Sequence, residues 1–291
     1  MSGAWLQFLA GGLTIGAIYA LVALGFSIIF NASHVLNFAQ GEFVMIGGMS
    51  AVSFIGMGLP MPLALLCAVA VTGVVGLLLE WLAVGRARRF DVVTLIIITI
   101  GASIFLRGLA QLVWDKSIHA LPPLSGDAPI SILGATIVPQ SLWVIGVTVV
   151  VVAALTWFFN RTLLGKAMLA TSYNRFAAQL VGIEVRKVLF ASFGLAAALG
   201  AVAGVLIAPI TFTSYDAGIM LGLKGFAAAM LGGLGSFPGA IIGGVLLGLL
   251  ESLGAGYLSS AYKDVIAFVI ILAVLFVRPD GILGAVKSER V

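Results

Sequence analysis

Long apolar runs separated by short polar stretches make up most of this chain. The runs lie near residues 8–30, 43–57, 63–85, 92–113, 141–159, 188–210, 222–235, 238–257 and 262–278. A helix needs about 20 residues to cross a bilayer, so the pattern predicts an all-α, polytopic membrane helix bundle with about eight or nine spans. We expect residues 1–291 to form a single domain. The first run is longer than the apolar core of a cleavable signal peptide, which predicts a retained span.

Two of the runs, 43–57 and 222–235, are too short for a full span and are rich in glycine. In transporters, short or glycine-interrupted segments in the two halves of the chain point to the transport site. These two segments are therefore predicted to be short or discontinuous, with the second packed against the first.

The stretch that leads into the first short run combines amides, a carboxylate and glycine. It reads LNFAQGEFVMIGGM, and its candidates for a solute path or hinge are Asn37, Gln40, Gly41, Glu42, Gly47 and Gly48. Non-helical backbone is tolerated at membrane depth where it lines a cavity. In the alternative interpretation, Asn37 caps the following helix and Glu42 lies near its positive N-terminus. The sequence leaves both interpretations open.

The second short run belongs to the stretch LKGFAAAMLGGLGSFPGAIIGG, residues 223–244. Its candidates for a path or hinge are Gly232, Gly233, Gly235, Pro238 and Gly239. Proline and several glycines within one span lower helix stability, which favours a functional break. The alternative is close packing of small residues followed by a turn.

Composition makes lipid the main solvent of this chain. Hydrophobic residues are 62% of the 291, and charged residues only 9%, whereas a soluble domain carries about 25% charged residues. The 37 glycines predict close helix packing, because small residues let membrane helices approach each other. Glycine pairs spaced four residues apart occur at Gly12/Gly16, Gly200/Gly204, Gly239/Gly243 and Gly244/Gly248.

Positive charge is concentrated in three connecting regions, which hold 11 of the 15 basic residues: Arg86, Arg88, Arg89, Arg161, Lys166, Arg175, Arg186, Lys187, Arg278, Lys287 and Arg290. Short cytoplasmic loops carry the excess of lysine and arginine, so these regions are predicted to lie in the cytoplasm. This placement accounts for the net charge of +4 without a nucleic-acid partner. Residues 115–141 are then predicted to form an ordered loop on the outer side.

No motif predicts catalysis, a metal or a cofactor. The chain has no phosphate-binding loop, no HExxH and no cysteine pair, and its two histidines lie in different loops. The acids lie near the predicted ends of spans, and Arg107 and Glu251 are expected to extend towards water from outer ends. We therefore expect a protein that is not an enzyme and that has little buried charge.

The second basic region contains NRFAAQLVGI, residues 174–183, which predicts a short helix. Asn174 is its predicted N-cap and Gly182 its end. Phe176, Ala177, Leu180 and Val181 share one face, with Arg175 and Gln179 on the other. Such a short helix is not stable alone, so it must dock on its own bundle or on another subunit. The alternative is a surface helix on lipid headgroups.

Four segments in order resemble bacterial branched-chain amino acid ABC permeases, and the shorter subunit of the high-affinity leucine, isoleucine and valine system most of all. These segments are VLNFAQGEFVMIGG, AAQLVGI with the following span VLFASFGLAAALGAVAGVL, LKGFAAAMLGGLGSFPGAIIGGVLLGLLESL, and YLSSAYKDVIAFVIILAVLFVRPDGILG. Gln40 stands where the family usually has histidine, and Leu169 where it often has arginine.

The resemblance implies a multi-pass inner-membrane subunit that works with a second related permease or another copy of itself. It also implies two ATP-binding subunits, a periplasmic amino-acid-binding protein and a coupling role for the 174–182 helix. An amide or urea permease of the same family is one alternative. Another is a self-sufficient secondary transporter or channel, which needs its own intramembrane carboxylate with partners.

Overall fold

A computed structural model describes residues 2–87, 91–126, 128–132, 135–257 and 263–284. Each of the nine apolar runs coincides with a helix, so the predicted all-α membrane bundle is confirmed. Four of the predicted cytoplasmic basic residues lie outside the described ranges: Arg88, Arg89, Lys287 and Arg290.

In chain order the elements are α1 (Ser2–Ser33), α2 (Gln40–Gly56), α3 (Met61–Leu79, continued by the π-helical turn Glu80–Val84), α4 (Val92–Trp114), β1 (Ile130–Ile132), β2 (Ala135–Ile137), α5 (Pro139–Arg161), α6 (Leu163–Tyr173), α7 (Arg175–Leu180), α8 (Val185–Thr211), α9 (Ala217–Gly232), α10 (Phe237–Tyr257) and α11 (Lys263–Val277).

The membrane helices fall into two length classes. Among the described residues, α1, α3 with its π-helical turn, α4, α5, α8 and α10 are long and apolar enough to cross a bilayer. By contrast, α2 has 17 residues and α9 has 16, in agreement with the two short predicted runs. A 16-residue helix is about 24 Å long, shorter than the roughly 30 Å hydrocarbon core. The total of eight or nine spans stays a prediction.

The centre of the bundle is α1, whose apolar window is 83% buried. It packs on α10 through two of the predicted glycine pairs. A methyl group added to Gly16 would lie 2.8 Å from Cα of Val245, and one on Gly12 would lie 2.9 Å from Cα of Leu249. The backbones of α1 and α10 are therefore in direct contact, as small-residue packing in membranes allows.

The other two glycine pairs also lie at helix contacts. Gly200 and Gly204 of α8 pack against Phe43 and Val44 of α2. Gly239 and Gly243 of α10 pack against the C-terminal part of α9. The helices α1, α2, α8, α9 and α10 thus form a tightly packed inner group, while the apolar windows of α3, α4 and α5 are only 28%, 17% and 22% buried.

The predicted outer loop between α4 and α5 is ordered in its described part. It contains the antiparallel hairpin of β1 and β2, in which Ile130 pairs with Ile137. His119 pairs with Thr213 in the α8–α9 connection, through backbone hydrogen bonds of 2.8 and 2.9 Å. This bridge ties the two loops at that end of the bundle.

At the opposite end of α9, the segment after α11 folds back onto the bundle. The backbone N–H groups of Ile282 and Leu283 donate to the carbonyl oxygens of Leu231 and Gly232, each at 2.9 Å. The last carbonyls of a helix have no partner within the helix, so this segment completes the C-terminus of α9. Gly233 allows the sharp turn there with φ +105°.

Candidate functional site

The polar stretch after α1 enters the bundle before α2 begins. Residues 34–39 are non-helical, and Asn37 is 1% exposed. The Gln40 side chain, at the first residue of α2, donates from Nε2 to the carbonyl oxygen of Ala196, 3.0 Å away, near the middle of α8. The short helix α2 therefore starts inside the bundle.

Asn37 does not cap α2, so that part of the alternative interpretation is wrong. Its Oδ1 accepts a hydrogen bond of 3.1 Å from the backbone N–H of Ala39, which makes a local turn. The N-cap residue is Ala39 itself, without a side-chain bond. Glu42 does lie in the first turn of α2, where the positive end of the helix favours a carboxylate.

The first turns of the two short helices meet at glycine. A methyl group on Gly41 would lie 2.9 Å from Cα of Gly222 and would overlap the carbonyl oxygen of Gly218. Gly41 is the second residue of α2, and Gly218 is the second residue of α9. The predicted contact between the two short segments is present: Gly222 is the first residue of the predicted run 222–235, and Gly218 lies four residues before it. Gly47 and Gly48 follow along α2 and pack against Ala201 and Thr213.

The glycine-rich stretch around Pro238 lies elsewhere, at the far end of α9, about 21 Å along that helix from Gly218. It forms the turn between α9 and α10, with Gly233 and Gly235 at positive φ and Pro238 in the first turn of α10. Gly232 and Gly239 pack against each other there. The geometry matches the alternative of close packing and a turn, and it does not bring these residues to the polar stretch.

Glu42 is the most buried charged group at the junction of α2 and α9, with 1% exposure. Its Oε1 accepts hydrogen bonds from Ser103 Oγ at 2.8 Å and from Arg107 Nη2 at 2.7 Å. Arg107 was expected to extend to water, and that expectation is wrong. A buried carboxylate is costly unless it is paired, and Arg107 turns into the bundle to supply the pair.

The sequence carried one signal for this pairing. Ser103 and Arg107 are four residues apart in α4, so they lie on one face of an otherwise apolar helix. A polar pair at that spacing indicates a partner on a neighbouring helix. Hydropathy alone did not identify the partner as Glu42.

The Glu42–Arg107 pair lines a cavity of about 200 Å³ between α1, α2, α4 and α9. Glu42 Oε2 and Arg107 Nε are buried and have no hydrogen-bond partner among the described residues. Oε2 lies beside the first turn of α9, 3.0 Å from the position of a methyl group on Gly218. The rest of the lining is mainly apolar: Phe26, Phe38, Ile100, Ile104, Ile219, Leu223 and Phe226.

A second buried charged cluster joins α1, α9, α10 and α11. Lys224 Nζ lies 2.7 Å from Glu251 Oε1 and 2.6 Å from Asp264 Oδ1, and the Tyr19 hydroxyl donates to Glu251 Oε2 at 2.7 Å. The expectations that Glu251 extends to water and that the chain buries little charge are therefore wrong. Both oxygens of Glu251 are occupied by protein groups, so this cluster braces four helices. Within the described residues, no three His, Cys, Asp or Glu side chains come together as metal ligands.

The predicted short helix in the basic region is present as α7. Asn174 Oδ1 accepts a hydrogen bond of 2.9 Å from the backbone N–H of Ala177, and Gly182 ends the segment at φ +88°. Phe176, Leu180 and Val181 are 70%, 73% and 78% exposed. Ala177 and Gln179 are also exposed, and only Ala178 of this helix is buried. The apolar face of α7 does not pack on its own bundle, which leaves it for another subunit or for lipid.

Comparison with known proteins gives the family. A profile described as "Branched-chain amino acid transport system / permease component" matches residues 8–275. The chain belongs to this permease family. The permease is 37% identical over 305 residues to the high-affinity branched-chain amino acid transport system permease protein BraD of Pseudomonas aeruginosa, covering 99% of this chain and 98% of BraD. It is 35% identical over 304 residues to LivH of Escherichia coli K12, with the same coverage.

More distant proteins are also similar to the permease. The ribose import permease protein RbsC of Escherichia coli K12 is 27% identical, over 89% of this chain and 82% of RbsC. The structure of PsaBC from Streptococcus pneumoniae in complex with Fab aligns with a TM-score of 0.52 and 15% identity, covering 94% of this chain and 93% of that one. The permease is a multi-pass membrane component of a transport system and not itself an enzyme.

Proposed function

We propose that this permease is the membrane subunit of an ATP-driven importer that carries branched-chain amino acids across the bacterial inner membrane. The observation that carries the proposal is full-length similarity to BraD and LivH, both named as permeases of high-affinity branched-chain amino acid transport systems. In this proposal residues 1–291 act as a single permease domain.

The junction of α2 and α9 is the proposed position of the solute path. Two short helices meet there through Gly41 and Gly218, and helices that end inside the membrane mark transport sites. Glu42 and Arg107 place charge at the same point. Ionisable side chains within membrane segments are costly and mark functional pathways. The polar stretch and the glycine contact therefore support one site.

The proposed partner of α7 is an ATP-binding subunit on the cytoplasmic side. A helix of six residues is not stable alone, and its apolar side chains at 176, 180 and 181 are exposed. Docking would bury them, and movement of the docked helix would transmit ATP hydrolysis to the bundle. The complete importer would contain two ATP-binding subunits, a second related permease or another copy of this chain, and a periplasmic amino-acid-binding protein.

An affinity pull-down of the tagged chain tests the partnership. The coupling variant carries Arg175→Glu and Leu180→Asp. The matched control carries Lys116→Glu and Ile118→Asp in the opposite loop, where Ile118 is 73% exposed, as is Leu180. We expect the parent and the control to retain an ATP-binding subunit in mild detergent and the coupling variant to lose it.

Other outcomes of the pull-down identify a different protein. If the parent chain is recovered without an ATP-binding subunit, the permease is a self-sufficient transporter in which Glu42 is the intramembrane carboxylate. If the coupling variant retains the subunit, α7 lies on lipid headgroups and the docking site is elsewhere. Uptake of radiolabelled leucine by proteoliposomes with the complete importer, ATP and the binding protein then tests the substrate.

A further inference from the structure

The cavity beside Glu42 presents two polar groups of opposite charge, each with unused hydrogen-bonding capacity. We propose that it holds the amino acid during passage, with Glu42 accepting from the α-ammonium group and Arg107 donating to the α-carboxylate. The apolar lining then surrounds the branched side chain. This inference rests on the proposed function and adds a binding site within the permease itself.

The hydrogen bonds already made leave one oxygen of Glu42 and one nitrogen of Arg107 without a partner among the described residues. Glu42 uses Oε1 for both Ser103 and Arg107, while the buried Oε2 has no partner among the described residues. Arg107 uses Nη2, and its buried Nε has no partner there either. A carboxylate accepts at two oxygens, and a guanidinium carries five N–H donors. The unused atoms match the ammonium and carboxylate groups of a zwitterion.

Charge balance favours a zwitterion over a simple ion. Glu42 and Arg107 together carry no net charge, and a zwitterionic amino acid adds none. A lone cation or anion would add an uncompensated charge at a site where the medium screens charge poorly. Within the pair, Glu42 Oε2 is the acceptor available to the ammonium group, because Oε1 is already used.

Size and lining suit a small apolar side chain. A cavity of about 150 Å³ can hold a molecule of benzene size, and the cavity here is about 200 Å³. Phe26, Phe38 and Phe226 supply aromatic walls, and Ile100, Ile104 and Leu223 supply aliphatic ones. Glycine would leave these walls uncovered, whereas leucine, isoleucine or valine would cover them.

The rim of the cavity lies on the surface formed by α4 and α9. Ile104 and Leu223 at this rim are 63% and 45% exposed, and the Arg107 side chain is 28% exposed. Arginine is costly to expose to hydrocarbon within a span. We therefore place this surface towards the water-filled path of the assembled importer, where a solute can enter the cavity.

Cysteine protection in the assembled importer tests the site. The probe is Leu223→Cys in a Cys67→Ser background, because Cys67 is the only native cysteine. Its rate of reaction with a charged methanethiosulfonate reagent is measured in nanodiscs without the binding protein. The control is Leu112→Cys, at an 85% exposed position of α4 away from the cavity.

We expect saturating leucine to slow the modification of Leu223→Cys at least fivefold and to leave Leu112→Cys unchanged. Two analogues separate the headgroup contacts: 4-methylpentanoate lacks the ammonium group, and 3-methylbutan-1-amine lacks the carboxylate. Neither should protect at the concentration at which leucine does. Adding Glu42→Gln should raise the leucine concentration needed for protection at least tenfold.

The outcomes separate this inference from the proposed function. If the importer takes up leucine while leucine leaves the Leu223→Cys rate unchanged, the cavity is not the site and the function stands. If 4-methylpentanoate protects as well as leucine does, Glu42 does not bind the ammonium group. If the complete importer takes up no branched-chain amino acid, the proposed function fails and this inference fails with it. The main comparison changes neither Glu42 nor Arg107, so it is valid even if the Glu42→Gln variant does not assemble.

Discussion

One methyl group placed between the two short helices is expected to destabilise the permease and to slow leucine uptake. In Gly41→Ala the new carbon would lie 2.9 Å from Cα of Gly222 and would overlap the carbonyl oxygen of Gly218, whereas ordinary contact begins at 3.4 Å. Both neighbours are backbone atoms, so no side chain can rotate away. The helices α2 and α9 must therefore separate, and the separation widens the cavity next to Glu42.

The cost follows from two opposed effects. Overfilling a close-packed contact costs about 1–3 kcal/mol. Alanine gains up to about 1 kcal/mol over glycine inside a helix, but Gly41 lies in the first turn, where the gain is smaller. We expect a net loss of about 1–2 kcal/mol. For domains of somewhat smaller size, each kcal/mol lowers the melting temperature by about 2–4 °C, so a loss of several degrees is expected.

The assay compares Gly41→Ala with Gly101→Ala, because a methyl group on Gly101 of α4 would have no atom within 4 Å. Detergent-solubilised variants are heated, and the monodisperse fraction that survives gives an apparent melting temperature. Leucine uptake by the complete importer is measured in parallel. The packing argument is refuted if Gly41→Ala melts no lower than Gly101→Ala and imports leucine at the parental rate.

Three further predictions concern other parts of the molecule. Lys224→Met leaves Glu251 as a buried charge without its lysine and should cost about 3–5 kcal/mol; adding Glu251→Gln should recover part of the lost melting temperature. Asn174→Ala removes the cap of α7 at a cost of about 1 kcal/mol, and should weaken retention of the ATP-binding subunit about fivefold in a pull-down titration. Hydrogen bonds from Ser117 lower the pKa of the Asp115 carboxyl group. The stabilisation of the loop by these hydrogen bonds is present above the usual pKa of aspartate and lost as the pH falls through the lowered value. The protection of the Ser117 amide against hydrogen exchange, relative to its intrinsic exchange rate, should therefore fall in acid, and Asp115→Asn should abolish this fall.

Each of these predictions has a contrary result. Equal melting of the Lys224→Met variant and the parent would mean that the ion pair does not brace the helices. If the Asn174→Ala variant retains the ATP-binding subunit as well as the parent does, the cap of α7 is not needed for docking. Hydrogen exchange at Ser117 with the same acid dependence in Asp115→Asn would assign the effect to another titrating group.

The membrane helices were predictable because a segment that crosses lipid must be apolar, helical and about 20 residues long. Apolar runs of sufficient length gave the long helices, and the short runs gave α2 and α9. Asn174 and Gly182 marked the ends of a short helix because capping depends on residues close in sequence. These features depend on local pattern, and the sequence displays local pattern directly.

The charged pairs were not predictable in the same way. Glu42 meets Arg107 from 65 positions away, and Lys224 meets Glu251 from 27 positions away. Hydropathy scores each charged residue by itself as unfavourable in lipid, which predicts that it lies near water. It does not take into account a partner of opposite charge on another helix. The glycine-rich turn at residues 232–239 was ambiguous for another reason. The same glycines suit a transport hinge or a tight turn, so the local sequence does not distinguish the two.

The hydrogen bonds that the segment after α11 makes to the end of α9 can form only late in synthesis of the chain. The carbonyl groups of Leu231 and Gly232 receive their donors from Ile282 and Leu283, which the ribosome adds only after α10 and α11. Until then the end of α9 has no chain partner for these groups, and water or the translocation apparatus must solvate them. This end of the bundle therefore closes last, after every membrane helix of the permease has been delivered to the bilayer.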